Sequence, residues 1–368
     1  MGRCDAGAVT DRYRESPDLW AELCYEKATG DDGYDYDRNA VRRAQVLWSL
    51  QYDRRPQDLP LLRWLARQEA VCRREAPFQG LTDQITLAGA LVAEHRQVED
   101  VWLQWEIKRA NFDTWCGYDG EHLLAAGVRA TLDFVRESGH PDRDEVLEYL
   151  AGRSDISEEG VTEWAERQRL TFPDDPADED PLTLIERAQF AGDRPRAREL
   201  LDQWAAGRTR DRDTLSTLRY ELTELGAFAE AAAAQRDSLA FAESAWDRAS
   251  AWHTLAELER QADHHDAAWA ALSECRRALA DVSGWTEVGL GRMYVEELLR
   301  LAVAADGDLA ARAFTEADRQ ARDVPRLPLV VWQSAAEAAA KVGDQPRAEH
   351  YARLRDEERR RIDHELSD

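Results

Sequence analysis

Two copies of one short stretch mark the helical pattern of this sequence: Gly192-Asp193-Arg194-Pro195-Arg196-Ala197 and Gly343-Asp344-Gln345-Pro346-Arg347-Ala348. Related stretches lie between them, at Gly226-Ala227-Phe228-Ala229-Glu230-Ala231 and, in degenerate form, at Ala262-Asp263-His264-His265-Asp266-Ala267. Each separates two segments whose apolar residues recur at helical spacing. Glycine suits a left-handed helix end, aspartate caps a following helix, and proline fits a first helical turn. The pattern therefore predicts tight turns inside helical hairpins.

These turns recur along the C-terminal half of the chain. Their anchors lie 34 to 45 residues apart, at Gly192, Gly226, Ala262, Gly307 and Gly343. With Trp332 and Pro325 at further family positions, residues 181–355 resemble the tetratricopeptide repeat, a helical hairpin of about 34 residues. The resemblance implies an α-solenoid of antiparallel helical hairpins, and it implies a fold without specifying a function.

The N-terminal half also reads as successive helices. Taking Tyr52, His95 and Gly139 as corresponding turns gives spacings of 43 and 44 residues, which is a weak repeat. A run of three prolines and five acids, Pro173 to Pro181, has no helical periodicity and predicts a linker. The sequence therefore predicts an all-α fold in two blocks. Its predicted parts are residues 1–37 with one helix, a hairpin block at 38–172, an acidic linker at 173–181 and a repeat block at 182–368.

Composition narrows the classes of function. The formal net charge of −25 over 368 residues repels phosphate backbones, so we expect no nucleic-acid partner. No apolar run reaches the length of a membrane span, and the first residues do not resemble a signal peptide. Five cysteines are scattered, at Cys4, Cys24, Cys72, Cys116 and Cys275. They fit free thiols in a reducing cytoplasm. Only three lysines against 45 arginines are typical of high-GC bacterial coding.

We find no motif that predicts catalysis, a metal or a cofactor. The chain lacks HExxH, GxxxxGK[ST], GxSxG and GxGxxG after a strand. The pair His264-His265 lacks a further fixed ligand, so we expect a solvated turn there and no metal site. We therefore predict that the protein is not an enzyme. A site near Trp102–Asp119, where aromatic and capping residues are dense, stays open as an enzymatic alternative.

The remaining candidate is a surface. A stack of hairpins exposes a concave face lined by the first helix of each hairpin. Family positions map onto this face the residues Glu186, Tyr220, Glu224, Trp252, His253, Glu259, Glu297 and Glu337. An acidic face with aromatic side chains favours a protein or peptide partner with a basic segment. We therefore expect a cytoplasmic, non-catalytic binding module that acts as a scaffold, adaptor or inhibitor. A peptide-responsive regulator is the alternative, and ordinary solvated helix faces would give the same pattern.

Overall fold

A computed structural model describes residues 10–30, 33–76, 80–153 and 156–365. The predicted all-α class is confirmed, because these residues are almost entirely helical apart from one two-stranded antiparallel hairpin. Its strands are β1 (Lys27–Thr29) and β2 (Asp35–Asp37), with Ala28 opposite Tyr36. The chain forms two compact units, Met1–Ala191 and Gly192–Asp368.

The helices of the first unit follow one another closely. They are α1 (Ala40–Tyr52), α2 (Leu59–Glu75), α3 (Asp83–Ala93), α4 (Val101–Lys108), α5 (Phe112–Gly117), α6 (Val128–Glu137), α7 (Arg143–Ala151), α8 (Glu158–Thr171) and α9 (Pro181–Phe190). Residues 10–15 are helical, and Pro17–Leu23 and Gly120–Leu124 form 3₁₀ turns. The Asn111 side chain caps helix α5, because it accepts a hydrogen bond from the Thr114 backbone N–H at 2.8 Å.

Two hydrophobic clusters form the core of this unit. One joins α1, α2, α3 and α4 through side chains such as Leu47, Leu65 and Ile85, all at most 1% exposed. The other surrounds Trp105 and joins α4 to the segments that follow it, including Val146 of α7. The helices therefore bury the apolar faces that their periodic sequences present.

A buried ionic group ties the strand hairpin to the helices. Arg43 of α1 is fully buried and donates to Asp37 of β2 and to Glu69 of α2, both at 2.6 Å. A buried guanidinium is tolerated when carboxylates neutralise it and accept its hydrogen bonds. Asp37 is therefore part of the interior.

Residues 173–181, which the sequence predicts to be a linker, include a buried acid. Glu179 is only 6% exposed and accepts hydrogen bonds from Gln51 Nε2 (2.9 Å), Tyr52 Oη (2.5 Å) and Arg187 Nη1 (3.1 Å). Arg187 neutralises this carboxylate, and Gln51 and Tyr52 donate further hydrogen bonds to it. The compact units divide later in the chain, between Ala191 and Gly192.

The second unit consists of consecutive helix pairs. Its helices are α10 (Arg194–Ala205), α11 (Arg212–Glu224), α12 (Phe228–Ser238), α13 (Ala245–Gln261), α14 (His265–Ala280), α15 (Gly289–Ala304), α16 (Gly307–Gln320), α17 (Leu329–Lys341) and α18 (Gln345–Glu365). Helix α11 packs on α12, α13 on α14, α15 on α16 and α17 on α18. The first helix of one pair also contacts the first helix of the next, as α13 does with α15 and α15 with α17.

The predicted left-handed turns are present. Gly192, Gly226 and Gly343 have φ values of 73°, 73° and 81°. The backbone N–H of the residue after Gly226 bonds to Leu222 O at 2.8 Å, and the residue after Gly343 bonds to Ala339 O at 2.9 Å. These are the six-residue bonds of a Schellman motif, which closes the end of the preceding helix.

The third turn lies one residue later in the chain than the sequence predicts. Asp263, and not Ala262, takes the left-handed conformation, with φ 60°, and His264 N bonds to Glu259 O at 2.8 Å. The buried alanine five residues after the left-handed residue is then Ala268, whereas Ala267 is exposed. The predicted position of this turn is wrong because aspartate replaces the glycine that marks the other turns. Asp is one of the few residues that tolerate the left-handed conformation.

Candidate functional site

The second unit exposes one large apolar side chain on the first helix of each hairpin. These side chains are Tyr220 on α11, Trp246 on α13, Met293 on α15 and Val330 on α17, and they are 57%, 43%, 49% and 45% exposed. Among the described residues of this unit, no equally exposed large apolar side chain lies on a second helix. We call these four residues the apolar row.

Each of these helices also carries a solvent-accessible acid beyond its apolar residue. The acids are Glu224, Glu257, Glu296 and Glu337. Glu296 is paired with Arg300 of the same helix at 2.6 Å. Within the described ranges, neither Glu224 nor Glu257 has a side-chain hydrogen bond or ion pair. Their charge is therefore available to a partner.

Five of the residues predicted for the concave face are accessible. Tyr220, Glu224 and Glu337 are exposed, and Trp252 is partly buried. Glu186 is also exposed, but it lies on α9 in the first unit. Burial, with Asp83 and Asp180 nearby, raises the pKa of Glu186.

The other three predicted residues are buried, so the expectation that they face solvent is wrong. Glu259 is 2% exposed and accepts hydrogen bonds from Arg236 and, at 2.9 Å, from His264 Nδ1. Glu297 is also 2% exposed and accepts a bond from Arg260 Nε at 2.6 Å. Burial raises the pKa of Glu297, and the Arg260 guanidinium opposes that shift.

His253 is buried because it packs between two helices. Its Nε2 lies 3.2 Å from the carbonyl oxygen of Met293, which joins α13 to α15. Burial lowers the pKa of this histidine, and the bond to the carbonyl opposes the shift. The family positions mapped His253, Glu259 and Glu297 onto the concave face, but in this structure those side chains lie where the packed helices meet their neighbours.

A cavity of about 250 Å³ lies beside the apolar row. Helices α11, α12 and α13 form its walls, and Trp246 lines it together with Arg212, Arg219, Ser216 and Thr254. Such a cavity is large enough for a single inserted side chain, since pockets for drug-sized ligands begin at about 300 Å³.

The alternative region in the first unit, Trp102–Asp119, is held together by structural contacts. Trp102 stacks on His140 with ring centroids 4.0 Å apart. Trp105 is 1% exposed, and Asp119 accepts a hydrogen bond from Trp164 Nε1 at 2.9 Å. Trp102, Trp105 and Asp119 are therefore engaged in structural contacts, whereas Phe112 and Trp115 are 78% and 46% exposed.

The same region contains a buried lysine that we did not select from the sequence. Lys108 is 3% exposed, and its Nζ donates to the Tyr118 carbonyl oxygen at 2.5 Å. Its ammonium group lies 5.8 Å from the ring centres of Trp115 and Tyr149. Burial, with Arg153 nearby, lowers the pKa of this lysine. The rarity of lysine in this arginine-rich chain was the only sequence signal for it.

Metal ligation is not indicated in the part of the chain that the structure describes, where no three His, Cys, Asp or Glu side chains are grouped suitably. Cys24, Cys72, Cys116 and Cys275 are free thiols, and Cys4 lies outside the described residues. No described helix combines the length and apolar character needed to cross a membrane.

Comparison with known proteins gives no relative for this chain. No protein-family model matches it, and neither the curated proteins nor the solved structures contain a match.

Proposed function

We propose that the second unit is a stack of tetratricopeptide-like hairpins that binds a segment of a partner protein and catalyses no reaction. The contacts between successive first helices, α13 with α15 and α15 with α17, support this arrangement. The Schellman turns at Gly226, Asp263 and Gly343 support it as well, because they close equivalent positions in three hairpins.

The observation that carries this proposal is the apolar row. Exposed apolar side chains occur singly on most protein surfaces. Here each first helix supplies one, at Tyr220, Trp246, Met293 and Val330. Because stacked hairpins bring their first helices to one face, these side chains offer a series of anchor positions along a bound segment.

The charge of the surrounding residues sets the expected chemistry of the segment. Glu224 and Glu257 have no described partner, and the whole chain carries −25. A segment that alternates apolar with Arg or Lys residues would contact both the anchors and the acids. We therefore propose a basic, amphipathic segment as the ligand.

Selection from a displayed library of random peptides tests this directly, with the full chain as target. We expect enrichment of sequences that combine apolar and basic residues. In fluorescence anisotropy, Tyr220→Ser/Met293→Ser should weaken an enriched peptide by at least about tenfold, because each anchor buries apolar surface on binding. Glu224→Arg/Glu257→Arg should weaken it and reduce its salt dependence.

The matched control reverses two acids on a second helix, Glu349→Arg/Glu357→Arg, and should bind like the wild type. Thermal melting of each variant checks that the fold is intact. The proposed surface would be refuted if the two test variants bound the peptide as tightly as the control variant. A library without any enriched sequence would also refute it.

A further inference from the structure

The first unit contains a second, separate cleft. It has a volume of about 190 Å³ and lies between the end of α3, residues 125–127 and α8. Its walls are largely small or apolar, with alanines at positions 90, 93, 125, 126 and 165 beside Val161 and Trp164. The indole of Trp164 is fixed by its hydrogen bond to Asp119 at 2.9 Å. Small side chains on three segments thus leave a compact space, and Thr162 and Gln168 add polar groups to its walls.

Both acids that line the cleft are already engaged. Glu94 forms an ion pair with Arg54. Glu158 accepts a hydrogen bond from the Arg129 backbone N–H at 3.0 Å, and the N–H groups at the start of α6 lower its pKa. Burial raises the pKa of Glu94, and the charges of Arg54 and Arg169 oppose that shift.

The two arginines that line the cleft differ from these acids. Across the described ranges, neither Arg96 nor Arg169 has a side-chain hydrogen bond or ion pair. Arg96 lies where the chain leaves α3, in a left-handed conformation with φ 49°. Two guanidinium groups whose N–H donors make no side-chain hydrogen bond within the described ranges therefore lie at one cleft, in a chain whose net charge is −25.

We propose that this cleft binds a small carboxylate with a compact, branched apolar body. Guanidinium groups suit a carboxylate because their planar N–H donors match its two oxygens. The alanines, Val161 and Trp164 would cover the apolar body. The volume is below the range of about 300–1,000 Å³ that drug-sized ligands occupy, so the ligand is small.

Isothermal titration of the full chain with 4-methylpentanoate tests this site. The comparison ligands are the alcohol and the amine with the same carbon skeleton, 4-methylpentan-1-ol and 4-methylpentylamine. We expect saturable binding of the acid with one site per chain. The alcohol and the amine should bind at least about tenfold more weakly, because only the acid makes charged hydrogen bonds to arginine.

Variants then assign the contact. Arg96→Gln and Arg169→Gln should each weaken binding of the acid by about tenfold. Arg167→Gln is the matched control, because Arg167 is exposed on the same helix but does not line the cleft. Ala165→Leu should block the cleft and abolish binding of the acid.

Three results would overturn the proposal: no saturable binding of the acid, equal binding of acid and alcohol, or wild-type affinity in both Arg96→Gln and Arg169→Gln. Thermal melting shows whether each variant is folded. Because the cleft belongs to the first unit and the apolar row to the second, peptide binding by Arg169→Gln separates failure of this proposal from failure of the proposed function.

Discussion

Replacing Gly89 with alanine should destabilise the first unit more than a typical substitution at a helix glycine. Gly89 lies in the interior of α3, and an added Cβ would lie 1.8 Å from Tyr118 Oη and 2.8 Å from Tyr118 Cζ. The tyrosine hydroxyl donates to Gln104 Oε1, and Gln104 Nε2 donates to the Gly89 carbonyl oxygen at 3.0 Å. The new methyl group must therefore displace a buried ring that takes part in a closed hydrogen-bond network.

Three effects determine the size of the change. Overpacking of a core costs about 1–3 kcal/mol. Leaving Gln104 without its buried donor costs about 1–3 kcal/mol. Alanine recovers about 1 kcal/mol over glycine in a helix interior. We therefore expect Gly89→Ala to lower the free energy of unfolding by about 1–5 kcal/mol.

Hydrogen exchange followed by mass spectrometry reads this loss in the first unit separately from the second. Gly160→Ala is the control, because the nearest atom to its new methyl group is Ser157 Oγ at 3.5 Å. It should leave exchange unchanged or slow it. The double variant Gly89→Ala/Tyr118→Phe should lose less than the two single variants added together, because the hydroxyl that meets the methyl group is gone. Wild-type protection in Gly89→Ala, or strict additivity, would refute the reasoning.

Three further predictions concern the left-handed turns, a buried histidine and residues 173–181. Gly226→Val should lower the free energy of unfolding in urea by roughly 1 kcal/mol or more, because Gly226 is left-handed. Asp263→Gly, at the equivalent left-handed position, should raise it by a similar amount. A stabilising Gly226→Val or a destabilising Asp263→Gly would contradict the turn assignment. Burial lowers the pKa of His122 to about 3, against about 6.5 in an unfolded chain. Its contribution to stability is therefore complete above pH 6.5 and is lost as the pH falls towards 3, at up to roughly 1.4 kcal/mol per pH unit; an unchanged pH profile in His122→Phe would exclude this source. Finally, brief digestion with a glutamate-specific protease should spare the bond after Glu179, which is 6% exposed, and early cleavage there would show that residues 173–181 are accessible.

The helices and turns were predictable where glycine and proline mark them. Gly192, Gly226 and Gly343 identified left-handed helix ends, and each has a positive φ angle. Asp263 was missed because a residue other than glycine occupies the same conformation, and the register of the hairpin was then one residue off. The strands β1 and β2 were missed because each has only three residues, too few to show an alternating pattern.

The candidate surface was less predictable than the fold. Helical spacing identifies residues on one helix face, but it does not show whether a neighbouring helix covers that face. Glu297 is covered because Arg260, 37 residues earlier, reaches it from α13. The apolar row could be recognised only from side-chain exposure, since Met293 and Val330 look like ordinary core residues in the sequence.

Net charge is a poor guide to the location of charge in this chain, because arginines pair with many of its acids in the interior. Arg43 and Arg260 each neutralise buried carboxylates, and every such pair removes an acid from the surface that a partner meets. The converse applies to Arg96 and Arg169. Within the described ranges these two arginines make no side-chain hydrogen bond or ion pair, so their N–H donors stay available although the chain as a whole is strongly negative. Added salt would screen the distant repulsion of an incoming carboxylate more than its direct contacts with these arginines, because screening acts over about 8 Å at physiological ionic strength. Moderate salt should therefore weaken carboxylate binding at the cleft less than it weakens capture of a basic segment by exposed acids on the second unit.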